Sequence, residues 1–296
     1  MLSGKRSVKS GHRVIGSSGD LLSHREVSGT VKPESKPHCL LSALRSYCFF
    51  VPLIWLWTVF MASFSLLSSL VDRHGRIQQW FAVTWSRVIL RIIGSPIAVR
   101  GMEKIDATRP HLWAVNHLSA LDIPAVYAGL PFHFRIMAKE EIFRYPFLGW
   151  HLRRSGQVSI EREHAIASMR SLNRAAAILK GGQPLVVFPE GGRSATGQVK
   201  QFLAGVFYVA IKAGVDVVPM ALVGTYELLP MNTFHIKPRP LELLVGEPIS
   251  SEGYGPREMD KLAASVQKAV EDLYYSRAEV ARPEKTELQA PQINAD

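Results

Sequence analysis

A histidine and an aspartate, with four residues between them, follow a short apolar run and could supply a general base. The run at 112–115 reads as a strand, and the polar stretch Asn116–Asp122 begins where that strand would end. Side chains at the end of a strand reach the edge of the sheet where substrates bind in α/β folds. A carboxylate at Asp122 would hold the imidazole of His117 in one tautomer. The alternative is a polar turn followed by a helix cap.

A second polar turn follows another apolar run, at 185–187. Phe188–Ser194 places a glutamate, two glycines and an arginine in one turn. Glycines Gly191 and Gly192 allow the backbone to approach a ligand closely. The planar guanidinium of Arg193 suits a phosphate group. The alternative is a strand-to-loop turn with a surface ion pair.

Together these blocks resemble those of the glycerolipid acyltransferase family, whose type member is 1-acyl-glycerol-3-phosphate (lysophosphatidic acid) acyltransferase. The resemblance covers roughly residues 80–250, and the four blocks occur in the family's order. The residues that match are Asn116, His117 and Asp122 of the first block; Gly156, Ile160 and Arg162 of the second; Phe188–Ser194 of the third; and, loosely, Val217–Met220 of the fourth. One departure is Gly192, which stands where the family has threonine.

The resemblance implies acyl transfer from a thioester to a hydroxyl, with His117 as the base and Asp122 orienting its ring. Arg193 and Arg162 are implied as the ligands of the substrate phosphate. Three more residues are implied on the substrate side: Glu190 orients an arginine or a glycerol hydroxyl, Gly191 lets the backbone approach, and Asn116 supports either the loop or the oxyanion. Neither a cofactor nor a metal ion is expected.

The leading hypothesis is a membrane-associated enzyme that acylates the free hydroxyl of 1-acyl-glycerol-3-phosphate and makes phosphatidic acid. Acyl-CoA and acyl carrier protein both stay open as the donor. The departure at Gly192 leaves other acceptors open: glycerol-3-phosphate, another lysophospholipid or a lyso-ornithine lipid. A thioesterase and a non-catalytic lipid-binding protein are further alternatives. A Gly-x-Ser-x-Gly elbow is absent from the sequence, which argues against a serine hydrolase.

The charge balance favours an anionic lipid surface as the partner. The 296 residues carry a net charge of +10, and residues 1–36 hold seven Lys/Arg against three Asp/Glu. Zinc spacings, stacking-aromatic motifs and a helix-turn-helix pattern are missing, so we expect no nucleic-acid partner. The two cysteines, Cys39 and Cys48, suggest a reducing, cytosol-facing domain.

The N-terminal part of the chain is predicted to associate with the membrane. Residues 46–71 contain no charge, and as a helix they would extend roughly 39 Å at about 1.5 Å per residue. Residues 79–93 show the pattern of an amphipathic interfacial helix with tryptophans on its apolar face. Basic residues on both flanks favour a re-entrant or interfacial anchor over a single span. Pro52 and the run of serines at 63–69 could permit the bend that such an anchor needs. Both stretches could alternatively be helices of the soluble core.

The remaining sequence predicts one α/β domain with a largely parallel central sheet flanked by helices. In full, we expect a disordered basic arm at 1–45, membrane-associating helices at 46–94, an acyltransferase domain at 95–276 and a flexible tail at 277–296. The predicted strands are 97–101, 111–116, 133–138, 157–160, 184–188, 217–224 and 241–246. The predicted helices are 120–129, 140–152, 163–181, 200–213 and 256–275. Lys139 could assist the phosphate ligands or simply begin a solvated helix.

Overall fold

A seven-stranded β-sheet organises the part of the chain that this computed structural model describes. The described residues are 37–72, 75–106, 108–146, 148–162 and 164–283. The strands are β1 (Ile97–Arg100), β2 (Leu112–Val115), β3 (Arg135–Lys139), β4 (Val158–Ile160), β5 (Leu185–Val187), β6 (Val217–Val223) and β7 (Leu241–Val245). All seven predicted strands are therefore confirmed, with ends shifted by no more than two residues.

The sheet has the order β1-β7-β6-β2-β5-β3-β4, and only the β6–β7 pairing is antiparallel. The central strands β2 and β5 are buried along their whole length and consist only of apolar residues, as expected for a sheet covered on both faces. Because β2 lies parallel between β5 and β6, the loops that follow these strands meet at one edge. The prediction of a largely parallel α/β sheet is confirmed.

Helices cover both faces of the sheet. One layer contains α3 (Arg76–Ile93) and α4 (Asp122–Gly129), and the other contains α6 (Ala165–Lys180), α7 (Tyr208–Ala213) and α9 (Met259–Tyr275). Short helices α5 (Leu148–Arg154) and α8 (Thr225–Leu228) lie in connections. The amphipathic pattern of α9 buries Leu262, Val266 and Val270 against the sheet at helical spacing.

Two of the predicted helices are broken in the structure. The stretch 140–152 forms a 3₁₀ helix, Glu140–Arg144, and then α5, while 200–213 forms a 3₁₀ turn, Ala204–Val206, and α7. Pro146 cannot donate a helical hydrogen bond, which separates the first pair. Gly149 then packs so closely that a Cβ there would lie 2.0 Å from the carbonyl oxygen of Phe143.

The N-terminal anchor begins earlier than predicted. Residues Pro37–Arg45 of the expected disordered arm form helix α1, and residues 1–36 lie outside the described part of the chain. A π-helical turn, Ser46–Phe50, joins α1 to α2 (Val51–Ser68). The resulting helix, Leu40–Ser68, has 29 residues, and an 18-residue window within it has a mean hydropathy of 1.9, so it is long and apolar enough to cross a membrane.

One stripe of this helix is docked on the globular domain along nearly its full length. We call it the docking stripe; its members are Ser42, Ser46, Phe50, Trp57, Met61 and Ser65. The hydroxyl of Ser42 lies 2.6 Å from Nε2 of His235, and that of Ser65 lies 3.2 Å from Nδ1 of His151. The opposite side exposes large apolar side chains: Trp55, Leu56, Val59, Phe60, Phe64 and Leu67.

Helix α3 folds back along α2, so the two form a helical hairpin. The indole of Trp57 donates to the carbonyl of Trp85 at 3.2 Å, and the indole of Trp85 donates to the hydroxyl of Thr58 at 2.9 Å. The reversal therefore falls between Ser68 and Arg76, next to the run of serines and not at Pro52, the other place where the sequence would permit a bend. Pro52 follows the π-helical turn Ser46–Phe50, and the helix continues through it.

The apolar face of α3 is buried in the core at its C-terminal end and exposed at its N-terminal end. Its C-terminal half buries Ile89, Leu90 and Ile93 in the core between α3, α4 and the sheet. This agrees with the alternative interpretation of residues 79–93 as a helix of the soluble core. Its N-terminal half exposes Ile77 and Trp80. The amphipathic pattern thus reflects packing on the domain at one end and an open apolar surface at the other.

At the C-terminus, residues 277–283 are irregular, and residues 284–296 lie outside the described part of the chain. The predicted tail is nevertheless held at its start, because the guanidinium of Arg282 pairs with Asp272 of α9 at 2.6 Å.

Candidate active site

His117 and Asp122 meet at the carboxyl end of β2, where the sequence places them. Nδ1 of His117 lies 2.8 Å from Oδ2 of Asp122. The chain turns sharply after β2, and Asp122 opens helix α4 at the end of that turn. Oδ2 of Asp122 also accepts the backbone N–H groups of Leu118 at 2.6 Å and Ser119 at 2.8 Å. One carboxylate thus fixes both the loop and the imidazole.

The contact with Asp122 determines which ring nitrogen can act as a base. An ionised carboxylate is only an acceptor, so Nδ1 of His117 carries the proton and Nε2 keeps its lone pair. Asp122 is fully buried, whereas the His117 side chain is 18% exposed. The ring of Phe188 lies against the imidazole with centroids 4.3 Å apart. This packing holds the ring plane, and the site can offer Nε2 to a proton donor.

Glu190 joins the loop after β2 to the loop after β5. Its Oε1 accepts the N–H of His117 at 2.7 Å, and its Oε2 accepts the N–H of Lys200 at 3.0 Å. The N–H of Ser194 in turn donates to the carbonyl of His117 at 2.9 Å. Glu190 is 4% exposed, and burial raises its pKa to about 8 although both backbone bonds oppose that shift. The Glu190 carboxyl therefore holds the loop after β2 and the loop after β5 together.

Three cationic side chains come from the loops around His117. Arg193 is exposed and forms no hydrogen bond or ion pair with another residue in the described part of the chain. Arg162, beyond the end of β4, donates from Nη1 to the carbonyl of Gly191 at 2.8 Å. Nζ of Lys200 lies 3.3 Å from the carbonyl oxygen of Gly192. Such a group of cations suits a phosphate.

The two glycines of this loop, Gly191 and Gly192, differ in the space that a side chain would have. Gly191 has φ +73°, and a Cβ there would lie 2.1 Å from Nη2 of Arg162. A side chain at Gly191 would therefore both strain the backbone and displace Arg162. At Gly192, the nearest atom to a built Cβ is Nζ of Lys200, at 4.0 Å. The departure from the family's threonine thus leaves open space beside a lysine.

Asn116 is turned away from the mouth of the site. It is fully buried, its Nδ2 donates to the carbonyl of Leu222 at 3.0 Å, and its Oδ1 accepts the N–H of Leu222 at 2.7 Å. The side-chain amide thus extends the pairing between β2 and β6 beyond the last strand bond. Of the two roles implied for Asn116, this geometry fits support of the loop.

The C-terminal helix α9 holds the chain just after the glycine-containing turn. The hydroxyl of Tyr274 donates to the carbonyl of Gly197 at 2.8 Å, and the hydroxyl of Tyr275 accepts the N–H of Val199 at 3.1 Å. Oε1 of Gln267 accepts the N–H of Phe202 at 2.9 Å. Sequence reasoning did not find these residues or Lys200, and it named Phe188 only as part of the third block, because their roles arise from contacts made only in the fold.

The surroundings of Lys139 fit the start of a solvated helix better than a ligand of the phosphate. Its Nζ pairs with Glu141 at 2.8 Å on a partly exposed surface, as expected for a solvated helix start. Among the described residues, no group of three or more His, Cys, Asp and Glu side chains could hold a metal ion.

Comparison with known proteins bears on the fold and on the family resemblance. Residues 96–223 match the family model described as Acyltransferase. A crystal structure of the 1-acyl-sn-glycerophosphate (LPA) acyltransferase PlsC from Thermotoga maritima superposes with a TM-score of 0.63 at 28% identity, covering 80% of this chain and 96% of that one. The resemblance to the glycerolipid acyltransferases is confirmed.

Two curated relatives belong to the same group. A 1-acyl-sn-glycerol-3-phosphate acyltransferase of Cocos nucifera is 30% identical over 184 residues, which is 61% of this chain and 59% of that protein. One from Saccharomyces cerevisiae is 27% identical, covering 70% of this chain and 69% of its own length. The matched region thus spans less than two thirds of the Cocos nucifera glycerolipid acyltransferase.

The buried Glu190 carboxyl, with its raised pKa, predicts how the free energy of unfolding responds to pH. Below its pKa of about 8 the folded Glu190 carboxyl carries a proton, and Glu190→Gln is a neutral variant of nearly the same shape that cannot titrate. Because the raised pKa makes folded Glu190 hold its proton more tightly than the unfolded chain, its contribution to stability declines as pH rises from its usual value, near 4.5, to about 8.

In denaturant titrations, the free energy of unfolding of wild type should therefore fall relative to that of Glu190→Gln between roughly pH 5 and pH 9. Exposed Glu252 supplies the control, since Glu252→Gln should leave the profile unchanged. A wild type that gains stability relative to Glu190→Gln as pH rises would contradict this view of Glu190.

Proposed function

We propose that this protein is a membrane-associated O-acyltransferase that acylates the free hydroxyl of 1-acyl-glycerol-3-phosphate and yields phosphatidic acid. The acyl donor is a thioester, acyl-CoA or acyl carrier protein. The observation that carries the proposal is the His117–Asp122 pair, whose Nε2 has no partner among the described residues and lies beside a loop bearing Arg193. The names of the curated relatives and of the Thermotoga maritima enzyme support the same acceptor.

The geometry suggests a direct transfer without an acyl-enzyme. A glycerol hydroxyl attacks poorly while it keeps its proton, so Nε2 of His117 takes that proton as the new C–O bond forms. Asp122 stabilises the imidazolium that results. Collapse of the tetrahedral intermediate breaks the C–S bond, and the imidazolium returns the proton to the departing thiolate. The protein supplies no nucleophile of its own.

The acceptor phosphate is assigned to the cations around the mouth. Arg193 has its whole fork available, whereas Arg162 is partly committed to the carbonyl of Gly191. Lys200 adds a positive charge next to Gly192. We therefore assign the phosphate primarily to Arg193, with Arg162 and Lys200 in support.

The alternatives differ in what they accept. A thioesterase would use water, a related acyltransferase would use another hydroxyl, and a scaffold would transfer nothing. Purified protein with labelled acyl-CoA or acyl carrier protein and a panel of lysolipids separates them, with products identified by mass. Labelled phosphatidic acid made from 1-acyl-glycerol-3-phosphate is the expected product, and a preference for an acceptor without phosphate would contradict the proposal.

The base is tested by two substitutions of different severity. His117→Ala should lower turnover by a factor on the order of 10²–10⁴ without unfolding the protein. Asp122→Asn should lower turnover with little effect on the Michaelis constant for the acceptor, because Asp122 acts on the ring. Steady-state kinetics alongside circular dichroism measure both effects. Retention of more than about a tenth of wild-type turnover by His117→Ala would contradict the assignment.

The phosphate assignment predicts a substrate-selective effect. Arg193→Ala should raise the Michaelis constant for the phosphorylated acceptor by about 10- to 150-fold, the equivalent of roughly 1.5–3 kcal/mol, and change that for the donor little. Arg193→Lys should recover only part, because a point charge cannot reproduce the planar fork. Exposed Arg174 of α6 provides a matched control, Arg174→Ala. Equal effects on both substrates would mean that Arg193 is structural.

We further propose that the anchor enters one leaflet and returns, with the catalytic domain in the cytosol. The docking stripe holds both ends of the 29-residue helix Leu40–Ser68 against the same domain. A helix fixed along roughly 43 Å of domain surface, at about 1.5 Å per residue, cannot also carry one end to the far side of a bilayer. Its exposed apolar side then faces lipid.

Topology can be tested with a native cysteine. Cys39 precedes the apolar helix, and Cys48 lies in its first turns. A membrane-impermeant thiol reagent should not label Cys39 in intact cells and should label it after permeabilisation, since both ends of the anchor face the cytosol. Cys39→Ser is the control for the signal. Labelling of Cys39 in intact cells would favour a single span.

A further inference from the structure

The short helix α8, at the carboxyl end of β6, contacts the loop that bears the proposed base. Because β6 pairs in parallel with β2, α8 lies at the same edge of the sheet as His117. The hydroxyl of Ser119, in the middle of the base-bearing loop, donates to the carbonyl of Leu229 at 2.8 Å. Leu229 is the residue directly after α8. The proposed transfer assigns no role to any residue of this helix.

Tyr226 of the same helix contacts the loop that bears Arg193. Its hydroxyl donates to the carbonyl of Ala195, two residues after Arg193, at 3.2 Å. Its ring lies directly against Gly197, where a Cβ would be 2.7 Å from the ring carbons Cδ1 and Cε1. Gly197 also has φ +77°, so both the backbone and the ring require a glycine at this position. Helix α8 therefore contacts both loops of the candidate site.

The contact at Ala195 falls between two other attachments of the Arg193 loop. On one side the N–H of Ser194 donates to the base-bearing loop at 2.9 Å, and on the other the carbonyl of Gly197 accepts a hydrogen bond from α9 at 2.8 Å. Ala195 is exposed between them, and in the described part of the chain its carbonyl accepts no hydrogen bond other than that of Tyr226. Loss of Tyr226 would therefore loosen the segment next to Arg193.

Helix α8 is itself held in place, so Tyr226 projects from a fixed position. Gly224 directly precedes the helix with φ +91°, and a Cβ there would lie 2.9 Å from the carbonyl oxygen of Pro240. The carbonyl of Leu228 accepts the N–H of Lys237 at 2.8 Å. The chain on both sides of Tyr226 is therefore packed on the segment that leads into β7.

The separation of Arg193 and His117 has a chemical meaning for the acceptor. In 1-acyl-glycerol-3-phosphate, the free hydroxyl is on the carbon next to the one that bears the phosphate. In the 2-acyl isomer, the free hydroxyl is one carbon farther away. A base and a phosphate ligand at a fixed separation therefore favour one isomer, because only that isomer places its hydroxyl at the base while its phosphate is bound.

We propose that Tyr226 is a positioning residue that sets the distance between Arg193 and His117 and thereby selects acceptors whose free hydroxyl is adjacent to the phosphate-bearing carbon. The inference rests on the proposed function, because it concerns how the same site recognises its acceptor. Tyr226 acts through the backbone of Ala195 and Gly197 and not on the reacting atoms.

Two ether isomers test the selection, because 1-O-alkyl- and 2-O-alkyl-glycerol-3-phosphate cannot exchange the chain between their hydroxyls. Wild type should prefer the 1-O-alkyl isomer. Tyr226→Ala should lower kcat/KM for that isomer on the order of 100-fold, as a displacement of about 1 Å does, and bring the ratio for the two isomers closer to one. Tyr226→Phe keeps the ring and loses one hydrogen bond, so its loss should be about 2- to 10-fold. The Michaelis constant for the acyl donor should not change.

Tyr208 provides the matched control, since its hydroxyl donates to the side chain of Asn173 at 3.0 Å between helices α6 and α7. Tyr208→Ala and Tyr208→Phe should leave the isomer ratio unchanged. A smaller folded fraction of Tyr226→Ala would lower both rates equally, so the ratio reports the position of the loop and not stability. An unchanged ratio for Tyr226→Ala would overturn the proposal.

A spin label at position 195 tests the contact without activity. In full-length Cys39→Ser/Cys48→Ser protein, Ala195→Cys carries a nitroxide on an exposed side chain and keeps the backbone carbonyl that Tyr226 binds. Tyr226→Ala should narrow the electron paramagnetic resonance lines, whereas Tyr208→Ala should not. Unchanged lines would overturn the proposal. If wild type acylates neither ether isomer, the proposed function fails, and the label still decides whether Tyr226 holds this loop.

Discussion

The candidate site depends on one buried carboxyl group that accepts a backbone hydrogen bond from each of two loops. Glu190 bonds to His117 and Lys200, and the reciprocal bond from Ser194 to His117 closes the connection. Without it, the loop that bears His117 and the loop that bears Arg193 would lose two of the hydrogen bonds that fix their separation, and the proposed base and phosphate ligands would be less well placed. Proximity of base and phosphate ligands is what a transfer between two bound substrates requires. The parallel pairing of β2 and β5 brings the two loops near each other, and Glu190 fixes their relative position.

Around that connection, the residues that hold the loops in place differ from the residues that reach the mouth of the site. Asn116 ties the base-bearing loop to β6, and Tyr274, Tyr275 and Gln267 tie the following chain to α9. Only side chains that reach the mouth, His117 and Arg193 above all, remain for substrate. Loops that are held in place by backbone and side-chain hydrogen bonds, with the side chain of Arg193 still available, are the arrangement that preorganised catalysis needs.

Apolar patterning alone was enough to predict the seven strands, because each is a short run rich in apolar residues and bounded by polar turns, and the central strands β2 and β5 are buried on both faces. Strand ends also sufficed to bring His117, Asp122 and the 188–194 loop to one edge. The sequence could not predict that the Asn116 amide pairs with Leu222, 106 residues away, or that α9 supports the glycine turn. Such contacts leave no local periodicity. Of the two places where the sequence would permit a bend in the anchor, the helix continues through Pro52, and the chain reverses after Ser68, next to the run of serines.

The central claim is that a lysolipid hydroxyl, and not water, receives the acyl group at His117. It is tested most directly by counting released thiol and newly formed lipid in the same reaction, with and without 1-acyl-glycerol-3-phosphate. The account predicts equal amounts of thiol and phosphatidic acid when the acceptor is present, and almost no thiol release when it is absent. Thiol release at the same rate without acceptor would contradict it and would identify the site as that of a thioesterase.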